Sequence, residues 1–364
     1  MQIKKQMLLL ILLIFTFSCS KSIYKIEFTK EENNLPGKII FIEEYFEETQ
    51  NIFFIIKDYM NSYSRLVEYD LVNQKIEKLI FDIDPQNGYI REFDSNEDYI
   101  VFSVLSSKEN VNVSKIYYYD IKAKKLEVLK DKVIGSSKGI YPIRLNVDST
   151  RIGWLQHDFQ NELTQIKIFD ILTKEMISID EAQFTKSGFK IPIFFLDMKD
   201  NKIIYDKNND TKGLYIYIFD YNSMKVVTSI PVEKDVKLHF NGSYNPEKNF
   251  IALYSKTSNT DLLYKINLEN HEATKLAGFY KNSVIYDDIL ESVENEIIYS
   301  VQLNVSGKVK DHYYTEIYDL STMKMKRFET SFHSIKTKKY FGLLKFDEVE
   351  NINKIHFELY EVKD

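Results

Sequence analysis

Tyr215–Ile230 reads YIYIFDYNSMKVVTSI. An alternating aromatic and β-branched run ends in Phe219-Asp220. A short polar turn follows, then a second β-branched run. Alternation with period two marks a strand, and the polar break between two such runs marks a hairpin. The unit recurs. Copies are RLVEYDLVNQKIEKLIF from Arg65, KIYYYDIKAKKLEVLKD from Lys115, QIKIFDILTKEMISID from Gln165, LLYKINLENHEATKLAG from Leu262 and TEIYDLSTMKMKRFET from Thr315. A weaker copy, IHFELYEVKD, begins at Ile355. The Asp-like position falls at Asp70, Asp120, Asp170, Asp220, Asn267, Asp319 and Glu361, at intervals of 50, 50, 50, 47, 52 and 42 residues. A short side-chain carboxyl at a strand end accepts backbone N–H groups two residues on, so these residues are expected to build turns rather than active sites.

A second mark has the same period. Ile52-Phe53-Phe54, Ile100-Val101-Phe102, Ile152-Gly153-Trp154, Ile203-Ile204-Tyr205, Ile251-Ala252-Leu253, Ile297-Ile298-Tyr299 and Phe341-Gly342-Leu343 each end 14 to 20 residues before the Asp-like position. Each unit therefore supplies about four strands. No long helix-period segment follows residue 22. Four strands per repeat of about fifty residues is the sequence signature of a β-propeller blade. The 346 residues after position 18 accommodate seven blades. The expectation is an all-β, seven-bladed propeller of four-stranded blades spanning residues 23–364. Its last copy ends after three strands, so Ile23–Lys30 (IYKIEFTK) is expected to complete it and remove an open edge.

The units resemble the TolB-type, WD40-like β-propeller repeat family. Tyr244-Asn245-Pro246-Glu247-Lys248-Asn249-Phe250-Ile251-Ala252-Leu253-Tyr254-Ser255, followed by Leu262–Leu268, is similar to the family's Trp-Ser-Pro-Asp-Gly, strand, Tyr-x-x-Asp-Leu pattern. Leu145–Ile152 is a second, degenerate copy. The family's Trp and Gly are missing from both. The resemblance implies a propeller and a secreted context, and it carries no activity, because propellers host binding, scaffolding and catalysis alike.

Composition narrows the classes. The chain has 364 residues, 44% hydrophobic and 28% charged, with a net charge of −6. It is too apolar for intrinsic disorder, and it lacks the basic balance of a nucleic-acid binder. A single Cys excludes an intrachain disulfide and a Cys-based zinc site.

That Cys sits at the end of an address. Lys4 and Lys5 precede Met7–Phe17, eleven residues apolar but for Thr16, then Ser18 and Cys19. Eleven residues are too few to span a bilayer, which takes about 20, but they suit a secretory core segment. The stretch looks like a bacterial lipoprotein signal, which implies cleavage after residue 18 and lipidation of Cys19. Residues 1–18 are thus expected to be a signal peptide and 19–22 a short tether. Acyl chains on Cys19 would hold the body on the outer face of the cell membrane, or on an outer membrane where one exists. Losing residues 1–18 removes two Lys and takes the net charge to −8. An acidic body over anionic lipid is mildly repelled, which favours a tethered domain.

Catalytic signatures are missing: no G-x-S-x-G elbow, no H-E-x-x-H and no Gly-rich phosphate loop. Asp206–Asp210 has oxygen-bearing side chains at alternate positions but lacks the Gly and Glu of a calcium loop, and reads as a hairpin tip. No cofactor or metal is expected. The first strand of each propeller blade lines the central channel. Candidate first strands are Lys38–Glu44, Tyr89–Phe93, Ile140–Leu145, Ile191–Asp197, Val236–Phe240, Val284–Leu290 and Ser331–Ile335. They carry Glu44, Arg91, Arg144, Asp197, His239, Asp287 and His333, a candidate ring of mixed charge for a polar ligand, with Arg offering bidentate contacts to a carboxylate. The expected function is a non-catalytic, monomeric, membrane-anchored binding protein for a protein or glycan partner. The alternative is an extracytoplasmic glycan hydrolase or lyase working in the funnel, which needs paired acid and base groups there.

Overall fold

The computed structural model describes the strands named below and many of the tight turns joining them. Residues 1–21 and 362–364 and the remaining connections lie outside the described residues, and side chains are described within residues 51–327. Every regular element described is a β-strand. β1 (Ser22–Thr29) comes first. β2 (Lys38–Phe46), β3 (Asn51–Asp58), β4 (Tyr63–Asp70) and β5 (Lys75–Ile83) then pair in chain order as an antiparallel sheet. β6 (Tyr89–Ser95), β7 (Tyr99–Lys108) and β8 (Val111–Asp120) form the next, with β9 (Lys125–Val128) and β10 (Val133–Ile134) both paired to β8. β11 (Leu145–Asp148), β12 (Arg151–Asp158), β13 (Leu163–Asp170) and β14 (Met176–Gln183) pair in order. So do β15 (Ile193–Lys199), β16 (Lys202–Asn209), β17 (Gly213–Asp220) and β18 (Lys225–Pro231). β19 (Leu238–Asn245), β20 (Phe250–Lys256), β21 (Asp261–Asn267) and β22 (Ala273–Gly278) repeat the pattern. β23 (Ser283–Val293), β24 (Glu296–Leu303), β25 (His312–Asp319) and β26 (Lys324–Glu329) repeat it again. β27 (Ser331–Lys336), β28 (Tyr340–Phe346) and β29 (Lys354–Glu361) make three strands of a last sheet, whose fourth is β1, antiparallel to β29 with Ile26 opposite Phe357.

Period-two alternation sends one strand's side chains to two neighbouring sheets. Ile203 and Tyr205 pack with Leu155, Ile166 and Phe195 on one side. Ile204, between them, packs with Tyr244, Ile251 and Leu253 on the other. The core is therefore a series of inter-sheet layers, and the many aromatics fill them: Trp154, Tyr69, Tyr119, Tyr205, Tyr244, Tyr254 and Tyr299 are fully buried. Each buried large apolar side chain contributes about 1.5–3 kcal/mol. Gly153 permits the close approach of one pair of sheets, since a Cβ there would lie 2.9 Å from Phe195 Cζ.

The Asp of each hairpin does the turn chemistry expected of it. Asp70 Oδ1 accepts the N–H groups of Val72 and Asn73 at 2.8 and 2.9 Å, and Asp170 and Asp319 do the same two and three residues on. Asp120, Asp220 and Asn267 likewise accept turn N–H groups, from Ala123, Ser223 and Glu269. Four residues after this position, Lys124, Lys174, Met224, His271 and Met323 all adopt left-handed φ of 53 to 60°.

Of the expected first strand Ile140–Leu145, residues 140–143 lie outside the described residues; the strand described there is β11, Leu145–Asp148, with Leu145 and Val147 buried and Arg144 just before it. Two expectations change. The sheet of β6–β10 has five strands, since two segments share the edge of β8. Asp206 is no hairpin tip. It is buried within β16, where its Oδ1 accepts the Phe194 N–H at 3.1 Å.

Candidate functional site

The first strands lie side by side. β2 neighbours β6, then β11, β15, β19, β23 and β27 follow in order, and β27 neighbours β2. Their pairing with the second strands is repeatedly interrupted: between Ile42 and Tyr45, Ile90 and Phe93, Phe195 and Asp197, His239 and Asn241, Ile285 and Leu290, and Ser331 and Ser334. Such bulges re-aim side chains and cluster beside functional sites. Glu44, Arg91, Asp287 and His333 fall inside these interruptions, and Asp197 and His239 border them. Arg144 precedes β11, and its carbonyl accepts the Leu155 N–H at 3.3 Å. The side chains of Glu44, His239, Asp287 and His333, and Cys19 altogether, lie outside the described residues.

Three ring side chains are described. Arg91 is partly buried and its Nε lies 3.3 Å from Glu92 Oε1. Arg144 is likewise partly buried. Asp197 is 5% exposed. One of its oxygens accepts its neighbour Met198 N–H at 2.7 Å, and the other accepts Tyr244 N–H, in the next sheet, at 2.6 Å. Lys199 Nζ lies 3.7 Å from the same carboxylate.

This link between sheets is one of a series. Asp94, Asn146, Asp197, Ser243 and Glu291 occupy equivalent places, opposite Val101, Gly153, Ile204, Ala252 and Ile298 of their second strands. Asp94 Oδ2 accepts Val147 N–H at 2.7 Å, and Ser243 Oγ accepts Ser292 N–H at 3.0 Å. In each case the N–H donor lies on the next sheet's first strand, one residue after the equivalent position. A first strand at the inner edge leaves N–H groups unpaired, and these side chains satisfy them.

The sequence reading missed Asp94, Asn146, Ser243 and Lys199. Counting back six residues from Ile100, Ile152, Ile203 and Ile297 reaches Asp94, Asn146, Asp197 and Glu291. Spacing among polar residues alone picked the inner register only at Asp197.

The Asp94 carboxyl group sits inside the wall although the residue keeps some accessible surface. Burial pushes it up to about 7, with the Asp197 charge adding to the rise while the Val147 N–H and Lys199 oppose it. His157 is also buried and is held down to about 4 by desolvation; its Nδ1 lies 2.9 Å from Thr164 Oγ1. Among the described residues no group of three or more His, Cys, Asp or Glu is placed to hold a metal ion.

Repeating four-stranded antiparallel sheets, packed face to face with their first strands adjacent, decide the architecture. The fold is a β-propeller. Solved structures agree. The β-propeller domain of the trilobed protease from Pyrococcus furiosus, described as having an open velcro topology, superposes with a TM-score of 0.58 at 14% identity, covering 90% of this chain and 95% of that one. An oligogalacturonate lyase from Vibrio parahaemolyticus gives 0.55 at 9% identity, over 94% and 99%. A chain of the mitotic checkpoint complex gives 0.54 at 9%, over 95% and 93%. At such identities the propeller likeness concerns the fold alone. No protein-family model and no curated protein matches the sequence.

Proposed function

We propose that the chain is a seven-bladed propeller closed by β1 on β29, lipidated at Cys19, and held on the outer face of the membrane to bind a polar protein or glycan partner at its channel. The observation that carries this reading is the run of adjacent first strands from β2 to β27 and back to β2, interrupted where the candidate polar residues lie. The pairing of β1 (Ser22–Thr29) with β29 (Lys354–Glu361) supports closure. Bulged inner strands turn side chains off the regular pleat and offer a varied polar surface at the axis. Among the described residues, the first-strand acids Asp94 and Asp197 are engaged by backbone N–H groups. That is wall construction, so the binding reading is favoured over the hydrolase or lyase.

Two measurements test it. Metabolic labelling with a fatty-acid analogue is expected to mark the wild-type chain and to leave Cys19→Ser unlabelled. Glycan arrays and surface-extract pull-downs with the full chain in detergent are expected to give a partner whose binding falls about tenfold in Arg91→Ala, the loss expected of a charge-assisted contact. Binding unchanged in Arg91→Ala and Arg144→Ala places the partner elsewhere. Turnover of a bound glycan replaces the binding reading with the enzymatic one.

A further inference from the structure

The strand polarity of the last sheet locates the start of β1. Ser22 lies opposite Tyr360, Tyr340 opposite Glu361, and Lys336 opposite Phe341. Ser22 therefore stands at the end of its sheet where β27 turns into β28. In the other sheets that same end also carries the turn from third to fourth strand. Ile121 donates its N–H to Asp98 O, Ile171 to Thr150 O, Tyr221 to Asn201 O, Leu268 to Asn249 O and Leu320 to Asn295 O, tying the two turns of each sheet together. Neighbouring sheets share this level, because the links from Asp94, Asp197 and Ser243 join adjacent first strands close to it.

That end exposes apolar side chains. Val72, Leu172, Met224 and Met323 sit in or beside the third-to-fourth turns and are 62%, 71%, 51% and 59% exposed. Exposed Lys75, Lys122, Lys125, Lys225 and Lys324 stand among them, on a chain whose net charge is −6. The carboxylates of Asp70, Asp170, Asp220 and Asp319 are turned onto their own backbone N–H groups, while Glu97, Glu175, Glu269 and Glu272 are exposed at the same end. Apolar tips suit a lipid interface, and the Lys beside them can reach its phosphates. Cys19 is three residues from Ser22, a reach of about 10 Å at most.

We propose that this end of the molecule lies against the lipid surface, with Val72, Leu172, Met224 and Met323 seated in the headgroup region. The occupant is the membrane carrying the chain's own anchor, so the inference rests on the lipidation of Cys19 proposed above. It replaces a domain swinging on a tether with one held in a set orientation, its opposite end facing outward.

The test uses the full chain on vesicles of phosphatidylglycerol and brominated phosphatidylcholine, coupled through Cys19 to a maleimide phospholipid. Trp154 is the chain's one Trp and is buried, so it supplies a constant background. Leu172→Trp and Val72→Trp are expected to lose about half of their added emission to the bromines, the quenching due to a ring seated some 5–10 Å into the boundary. Asn161→Trp, on the turn between β12 and β13 at the opposite end, is expected to stay unquenched. Equal quenching at both ends, or none at either, overturns the orientation; tips left in water point to a protein partner on that face instead. Labelling of Cys19 in cells is read separately. A chain that cells leave unacylated removes the anchor, while the quenching still reports which end meets lipid.

Discussion

The third-to-fourth strand turns and the inner wall are both built with aspartate, put to opposite electrostatic use. In the turns the carboxylate stays in water and receives N–H groups from its own loop. Asp70 and Asp220 are held below the usual range chiefly by the backbone N–H groups of Asn73 and Ser223. Asp319 is brought down to about 2, first by the Ser321 hydroxyl. In the wall Asp94 receives a comparable N–H from Val147, yet burial wins and drives it up to about 7. Hydrogen bonding to the ion and desolvation of the ion act in opposite directions, and depth decides between them. The turns are local and repeat faithfully. The wall depends on partners about fifty residues away.

The strongest way to break the contrast is to remove wall packing. Phe195→Ala empties a fully buried site between two sheets and is expected to cost about 3–5 kcal/mol, read as the urea midpoint. Asp197→Ala comes next: it strands the buried Tyr244 and Met198 N–H groups and is expected to cost about 2–4 kcal/mol. Equal loss from Asp197→Asn would show that charge rather than acceptor geometry matters.

The third prediction separates the two regions by the sign of their pH dependence. Asp94 binds its proton more tightly folded than unfolded, so its stabilisation is complete below about pH 4 and is lost as pH rises through about 7. Asp319 is the reverse: its contribution is present above about pH 4 and is lost as pH falls through about 2. Asp94→Asn is expected to flatten the fall in stability between about pH 4 and about 7 and to leave the limb below about pH 4. Asp319→Asn is expected to soften the acid limb by less, since that carboxylate is exposed and screened. The smallest effect belongs to Lys122→Ala. Its pairing with Asp98 at 2.5 Å is exposed to solvent, and its removal is expected to leave the unfolding midpoint unchanged.

Legibility in the sequence followed the same division. Tyr-Asp and Phe-Asp marked the hairpins because strand alternation and the Asp turn are encoded within a dozen residues. The candidate ring was legible only as a place along the first strands. Arg91 and Asp197 are both polar residues of first strands, but a bulge falls at each, and one unpaired residue shifts which side chain faces the next sheet. Asp94 escaped notice for that reason. Asp206 looked like a turn residue because short acids favour turns; pairing with Phe194 and Ile216 held it in a strand instead.

What the amino-acid order determined by itself was the unit: strand period, turn chemistry and a repeat near fifty residues, all of them properties of neighbours along the chain. Tertiary structure decided how the units meet: which carboxyl spans two sheets, which acid is driven to hold its proton, that Gly153 must stay small beneath Phe195, and that Ser22 begins its strand at the end bearing the apolar tips. These depend on desolvation and on contacts between distant segments, which come into being only when the sheets stack.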